Sequence, residues 1–567
     1  MGRLARDRRS KLVPGNRGSL APRLKALERS LSATYRKLAS GSPPAEELGV
    51  TAEWLLDNEH VVREALEQVR GSLPSGYYRR LPSLAEDSGA ATPRVGELAR
   101  RLLDLSGRPV ELEVAESLLG SFQEVSPLSI GELWALPAFL RLAVLEDLAG
   151  IAAEAVAATE EAVRTPAGPG GPPDAGWAIL ALRDLAACDW KAFFERSSRV
   201  EGILRQDPAG AYPRMSFETR DRYRKAVETL ARRSPEADEE AVARRAVELA
   251  RAAPREGPAA ARESHLGTYL VAEGRPRLEA ALGCRVPRRV RLGRRLAGHA
   301  TGLYLVTVGL AWAAALAVPG VWLASLGVRG WSLALALFLT SGPGLGLAVA
   351  VVNWLATLLF PPRVLPRLDP EQGIPGDART LVVMPVIVGR RDEIAVLLSR
   401  LEVHFLGNRD PAVSFALVTD FADAPERAMP RDKALLRAAA DGIRRLNRRH
   451  GEEGREPFHL FHRERRWNPV EGQWMGWERK RGKLEELNLL LRGSRDTSFA
   501  VQVAPPEDLG EVRYVITLDA DTRLPPGAAA ALVATFAHPL NRPVVDPGSG
   551  DLRAGYTVLQ PRLSVDP

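Results

Sequence analysis

The chain has 567 residues, of which 77 are Lys or Arg and 70 are Asp or Glu, giving a formal net charge of +7 spread along its length. That length leaves room for several cores, and a mild, dispersed cationic excess without interleaved aromatic residues argues against nucleic-acid binding. Only two cysteines occur, Cys188 and Cys284, which excludes a disulfide framework or a cysteine-based zinc site and leaves reduced, structural thiols.

Residues 1–29 are rich in Arg and Lys and lack an apolar stretch, so they form no secretory signal and read as a disordered basic arm. Residues 30–295 read as an all-α cytoplasmic domain. Trp54, Leu55, Val62, Leu66 and Val69 line one face of a helix, as helical periodicity requires. Further helices are expected at Arg94 to Asp104, Ser129 to Thr159, Trp177 to Arg205, Phe217 to Arg232 and Glu236 to Ala253. Ser129 with Glu132 three residues later has capping-box spacing. The Pro/Gly-rich stretch Thr165 to Asp174 reads as a loop. The run Arg220 to Arg224 reads as a charge-bridged helix face rather than a site.

Composition then changes. No Asp, Glu, Lys or Arg occurs between Arg295 and Arg329, or between Arg329 and Arg363. Each gap exceeds the roughly 20 apolar residues that span a bilayer. Helices are placed at Gly302 to Leu326 and Trp331 to Leu359, a hairpin within 302–359. Arg285, Arg288, Arg289, Arg291, Arg294 and Arg295 precede it, and Arg363 and Arg367 follow it, against lone Arg329 in the turn. By the positive-inside rule both flanking regions face the cytoplasm, with membrane lipid as a partner.

After the hairpin, strands and helices alternate, as in a largely parallel α/β sheet. Thr380 to Val388 reads as the first strand, Ser414 to Val418 as the second and Phe458 to His462 as the third; Tyr514 to Leu518 is a further buried strand. Helices are expected at Arg391 to Phe405, Arg431 to His450, Leu484 to Leu491 and Ala528 to Ala537. Pro385, Asp420 and the pair Asp519/Asp521 thereby come to one edge of the sheet, the carboxyl edge where ligands bind. Two acids one residue apart suit a hard cation that takes its other oxygens from water and a diphosphate. Arg479, Lys480, Arg481 and Lys483 open a helix and supply cations and free N–H groups for phosphate, or alternatively a juxtamembrane patch for anionic lipid. Trp474 and Trp477 suit either a sugar-stacking platform or buried packing.

These residues together resemble the cyclic β-1,2-glucan synthases, large inner-membrane glycosyltransferases of bacteria. In the helical half the resemblance rests on Asp57 to Glu64, Gly76 to Arg79, Ile130 to Pro137 and Thr219 to Arg224. In the α/β part it rests on Trp474 to Leu487, Thr517 to Thr522 and Gln560-Pro561-Arg562. It implies a multidomain, multi-pass inner-membrane protein ending in a partial type-A glycosyltransferase (Rossmann-like) domain over 375–567. That domain would polymerise glucose from UDP-glucose onto a growing β-glucan with a divalent metal, Mg or Mn. Pro385 and Asp420 would hold the uridine, Arg481 and Lys483 the diphosphate, and Asp519 with Asp521 the diphosphate and metal. Asn488 is a weaker candidate beside them. Gln560 and Arg562 would begin the acceptor side of the sheet. The general base of such inverting enzymes is carried in a later segment, expected beyond Pro567. The chain therefore resembles an N-terminal fragment, expected to bind UDP-sugar weakly and not to polymerise. Another processive synthase would share Asp420, Asp519 and Asp521 without the long helical region, and a truncated scaffold or nucleotide-sugar sensor is the non-catalytic alternative.

Overall fold

The computed structural model describes residues 12–13, 15, 19–39, 50–85, 91–106, 112–162, 175–254, 256–360, 362–452, 455–503 and 509–562. It divides into two compact units: the described residues of Met1–Gln206 with Arg224–Val247, and Asp207–Tyr223 with those of Glu248–Pro567. The single helical domain expected over 30–295 is corrected accordingly, since 207–223 and 248–295 pack with the C-terminal unit. Backbone bonds tie the first of these segments there, Ser216 N–H to Arg367 O at 3.2 Å and Asp369 N–H to Arg214 O at 2.7 Å, and a buried polar knot joins the two segments to each other. The Asp207 carboxylate accepts from the amides of Ala211, Tyr212 and Leu266 and lies 2.8 Å from His265 Nδ1. His265 Nε2 in turn meets the Tyr223 hydroxyl at 3.0 Å.

The first unit is helical. Residues 21–29, expected to be disordered, begin the helix Ala21–Ala39. Leu24, Leu27 and Leu31 recur three and four residues apart and are buried, so apolar spacing outweighs the basic composition. Most of the remainder of 1–29 lies outside the described residues, as does the loop at 165–174, but Leu12–Val13 is a short strand paired antiparallel with Ser83 and Leu84. The capping box forms: Ser129 N–H donates to Glu132 Oε2 at 3.0 Å, and Glu132 N–H donates to Ser129 Oγ at 3.2 Å. The helix expected from Trp177 to Arg205 is three, Gly176–Ala187, Trp190–Ser197 and Arg199–Leu204. Asp189 and Ser198 restart it, each accepting backbone N–H groups as N-caps. Arg224, in the run read as a charge-bridged helix face, makes its bridge inside the core, fully buried against Glu201 at 2.9 Å.

In the second unit, Ala300–Ser325 and Trp331–Leu359 are long and apolar enough to cross a membrane, and only 6% and 11% of their most apolar windows are buried. Beyond them lies a five-stranded mixed sheet of β1 (Thr380–Val388), β2 (Val413–Phe421), β3 (Phe458–Arg463), β4 (Phe499–Val503) and β5 (Tyr514–Thr517), in the order β5-β1-β2-β3-β4. Four strands are parallel. β4, which sequence periodicity did not suggest, pairs antiparallel with β3. Val382, Met384 and Val386 of β1 pack with the helices Arg391–Gly407 and Asp432–His450. Leu381 and Val383 pack on the opposite face with Leu487 and Leu491 of the helix Arg479–Leu491. This alternation is the period-two signature of a strand buried on both faces.

Pro385 sits in this central strand, buried and opposite Val418, although proline cannot donate to a ladder. The position tolerates it because β5 ends at Thr517, opposite Val383. Leu518 N–H donates to Val383 O, so the backbone of Pro385, two residues on, points to the side where β5 has already stopped. Gln560 and Arg562 do not extend the sheet as expected. Both are exposed and outside any strand; among the described residues the preceding strands, Val544–Val545 and Leu552–Ala554, pair with each other and not with the sheet.

Candidate active site

Because β1, β2, β3 and β5 run parallel, their carboxyl ends share one edge. Asp519-Ala520-Asp521 leaves that edge directly from β5. Leu518 and Leu524 are buried on either side of the turn. Thr522 N–H donates to Asp519 O at 3.0 Å, and the Arg400 guanidinium donates to Ala520 O. The backbone is thereby pinned while both carboxylate residues remain exposed. The Lys480 ammonium pairs with Asp519 across 39 residues of sequence.

The donor set fits a hard divalent cation. Two exposed carboxylates on a fixed turn supply part of a coordination shell, and water and phosphate oxygens suit the rest. Among the described residues no group of three or more His, Cys, Asp or Glu forms a fuller cage.

Asp420 lies at the strand end expected of it, but it and Lys483 are buried rather than open to a ligand. Asp420 is buried near the end of β2, with the Arg463 guanidinium donating to both its oxygens, Nε to Oδ1 at 2.8 Å and Nη2 to Oδ2 at 2.9 Å. Lys483 Nζ lies 3.1 Å from Asp420 Oδ2 and donates to Val386 O at 2.6 Å. Burial pulls the Lys483 ammonium below its ordinary pKa, opposed by Asp420. The uridine and diphosphate contacts expected of these two residues are thus occupied by protein partners. Arg481 and Lys483 cannot share one ligand face, because residues two apart on a helix point roughly 160° away from each other. Lys483 turns into the core, whereas Arg481 stays exposed on an open groove with Leu484, Glu485 and Asn488.

Arg463 is the hub that sequence reasoning missed. Besides Asp420 it reaches Glu486 at 3.2 Å and donates to the carbonyls of Trp477 and Arg479 at 3.0 and 3.1 Å. Those bonds hold Glu478 and Arg479 at φ +49° and +46°, a left-handed geometry rare in non-glycine residues. Glycine is required on both sides. A Cβ on Gly476 would lie 2.6 Å from Asp420 Oδ2, and one on Gly482 would collide with Trp477 O. The readable signal was an arginine placed directly at the end of an apolar strand. Trp477 is half-exposed, whereas Trp474 packs against Trp467 with ring centroids 5.9 Å apart. His462, at the end of β3, meets Thr419 Oγ1 at 2.8 Å through Nδ1, and burial pushes its pKa down to about 4.

A scan against protein-family models finds no match. Over 95% of its length the chain is 34% identical to Cyclic beta-(1,2)-glucan synthase NdvB of Rhizobium meliloti (strain 1021). The chain spans about a fifth of that protein's length, 21%. Nearly the whole chain is therefore similar to one segment of a cyclic β-1,2-glucan synthase, the family that its own motifs resemble.

Proposed function

We propose that this chain is part of a membrane-bound, inverting glycosyltransferase that polymerises glucose from UDP-glucose into cyclic β-1,2-glucan. On this reading residues 375–567 belong to a type-A glycosyltransferase domain on the cytoplasmic side of the inner membrane. The hairpin spans the bilayer and the arginine-rich flanks stay inside. The observation that carries the proposal is the exposed Asp519/Asp521 pair at the carboxyl edge of four parallel strands, with Lys480 beside it.

Rupture of the glucose–phosphate bond leaves negative charge on the departing UDP, and fixed cations aimed at it lower the barrier. A divalent cation, Mg²⁺ or Mn²⁺, held by Asp519 and Asp521 supplies that neutralisation when bound. Lys480 and Arg481 add positive charge at the start of their helix. The buried Asp420–Arg463–Lys483 cluster acts beneath them, holding the segment from Trp477 to Lys483 in place. Half-exposed Trp477 offers apolar surface for the sugar or base. Gln560 and Arg562 remain candidates for the acceptor side.

The test is calorimetric titration of the detergent-solubilised chain with UDP-glucose, with and without Mn²⁺. Binding should depend on the metal and weaken at least about tenfold in Asp519→Asn and Asp521→Asn, the loss of one charged ligand being worth more than 1.4 kcal/mol. Binding that is indifferent to both the metal and these substitutions overturns the proposal.

A further inference from the structure

The helix Arg288–Gly298, Arg-Arg-Val-Arg-Leu-Gly-Arg-Arg-Leu-Ala-Gly, carries five arginines and no acid, and none of its residues is buried. One side is fastened to the protein. Arg294 forks onto Glu279, with Nη1 2.6 Å from Oε2 and Nη2 2.8 Å from Oε1, and Glu279 is itself buried. The other side is open. Leu292 and Leu296 stand two residues before and after Arg294, so each points about 160° away from it. They are 58% and 44% exposed. Arg288, Arg289 and Arg295 project on the same side as these leucines, within about 60° of one or the other.

The helix ends at Gly298, and the first apolar helix starts at Ala300. His299 between them has φ −121° and ψ 26°, outside helical values, so the basic helix is not a straight continuation of the apolar one. An exposed leucine pair fringed by arginines, one residue from a bilayer-length helix, has the form of a segment lying in the membrane interface. Phosphodiester headgroups match guanidinium forks, and anionic lipid attracts such juxtamembrane basic segments.

We propose that Arg288–Gly298 is an interfacial helix that binds anionic phospholipid: Leu292 and Leu296 enter the headgroup–acyl boundary, Arg288, Arg289 and Arg295 grip headgroup phosphates, and Arg294 ties the helix to the protein through Glu279. This rests on the membrane reading of the hairpin. Its consequence is mechanical, because the pinned helix fixes the height of the segment around Glu279 above the bilayer.

The full chain, with Cys188→Ser and Cys284→Ser, is reconstituted into vesicles carrying a spin label at Leu292→Cys or, separately, at Val318→Cys within the apolar helix. Accessibility to oxygen and to a water-soluble nickel chelate is then read by power saturation. In phosphatidylcholine vesicles containing phosphatidylglycerol, the label at 292 should be shielded from nickel. That shielding should be lost in pure phosphatidylcholine, and also in the R288Q/R289Q/R295Q variant, while position 318 stays shielded throughout. A label at 292 that is equally aqueous in both lipids, with 318 shielded, overturns the interfacial helix and leaves the hairpin standing. Shielding at 292 that ignores both lipid charge and the arginines overturns the anionic-lipid assignment. An aqueous 318 overturns the membrane reading itself. The comparison of lipids needs no arginine variant, so misfolding of the triple substitution cannot mask the result.

Discussion

Arg463→Met tests whether one buried guanidinium holds the basic segment of the candidate site in place. The side chain is fully buried and supplies five contacts, two to Asp420 and one each to Glu486, Trp477 O and Arg479 O. The cluster is charge-balanced, with Asp420 and Glu486 facing Arg463 and Lys483. Methionine fills much of the volume but leaves two carboxylates opposite one lysine. Removing one partner of a buried ion pair costs about 3–5 kcal/mol. Lys483 remains 3.1 Å from Asp420, and Glu486 keeps its bonds from Ser498 N–H and Oγ, so the lower end, about 3 kcal/mol, is expected. At 1.36 kcal/mol per decade this makes opening of the helix Arg479–Leu491 roughly a hundredfold more frequent. Hydrogen exchange of the full chain in detergent reads it directly, as faster exchange of the buried amides from Lys483 to Leu491. Arg463→Lys keeps the charge but cannot fork across the same acceptors, and should recover roughly half the protection on a free-energy scale. Exchange in Arg463→Met within about twofold of the wild type would refute the reasoning, because an uncompensated buried charge cannot be that cheap.

Three further outcomes are expected. His462 is held neutral with a pKa near 4, whereas an unfolded imidazole titrates near 6.5. The unfolded chain therefore takes the proton first, and the stability His462 contributes is complete above pH 6.5 and lost as pH falls toward 4. Thermal or urea midpoints should show the gap between wild type and His462→Gln narrowing by roughly 2–3 kcal/mol from pH 7 to pH 4.5. Glu239 has the opposite sign: burial, reinforced by Glu228 and Glu132, pushes its carboxyl up to about 7 against the single amide it accepts from Ile130. Ionisation thus removes stability as pH rises from about 4.5 to 7, and Glu239→Gln should stabilise the first unit at pH 8 by at most roughly 3 kcal/mol, read as a higher melting temperature. Lys480→Ala frees Asp519 from an exposed ion pair worth up to about 1 kcal/mol. Mn²⁺ affinity without nucleotide, measured by paramagnetic titration, should rise up to about fivefold.

Much of the α/β part was legible. The β-branched run Thr380–Val388 is a strand with the bounds expected, and Ala528–Ala537 and Trp331–Leu359 are the helices expected. In each case a long stretch of uniform chemistry left no competing structure. Phe499–Val503 escaped because an edge strand of five residues, Phe-Ala-Val-Gln-Val, with alternating burial is too short to show a period. The helix Arg479–Leu491 begins five residues before Leu484, since two consecutive left-handed residues without glycine leave no mark in a sequence. Of the candidate site, Asp519, Asp521 and Arg481 are exposed. Asp420 and Lys483 are buried in an ion cluster, and the Arg463 hub and the pairing of Lys480 with Asp519 were unforeseen because an arginine or lysine reads by default as solvated.

Composition along the chain was enough to determine two bilayer-length helices, an alternation of strands and helices, and a pair of acids following a strand, because apolarity and periodicity are local properties that add residue by residue. Which charges are open and which are buried was decided only by tertiary structure. Asp420 and Arg463 meet across 43 residues, and Lys480 and Asp519 across 39. The cost of a buried charge depends on the partner that reaches it, and no stretch of sequence carries that partner with it.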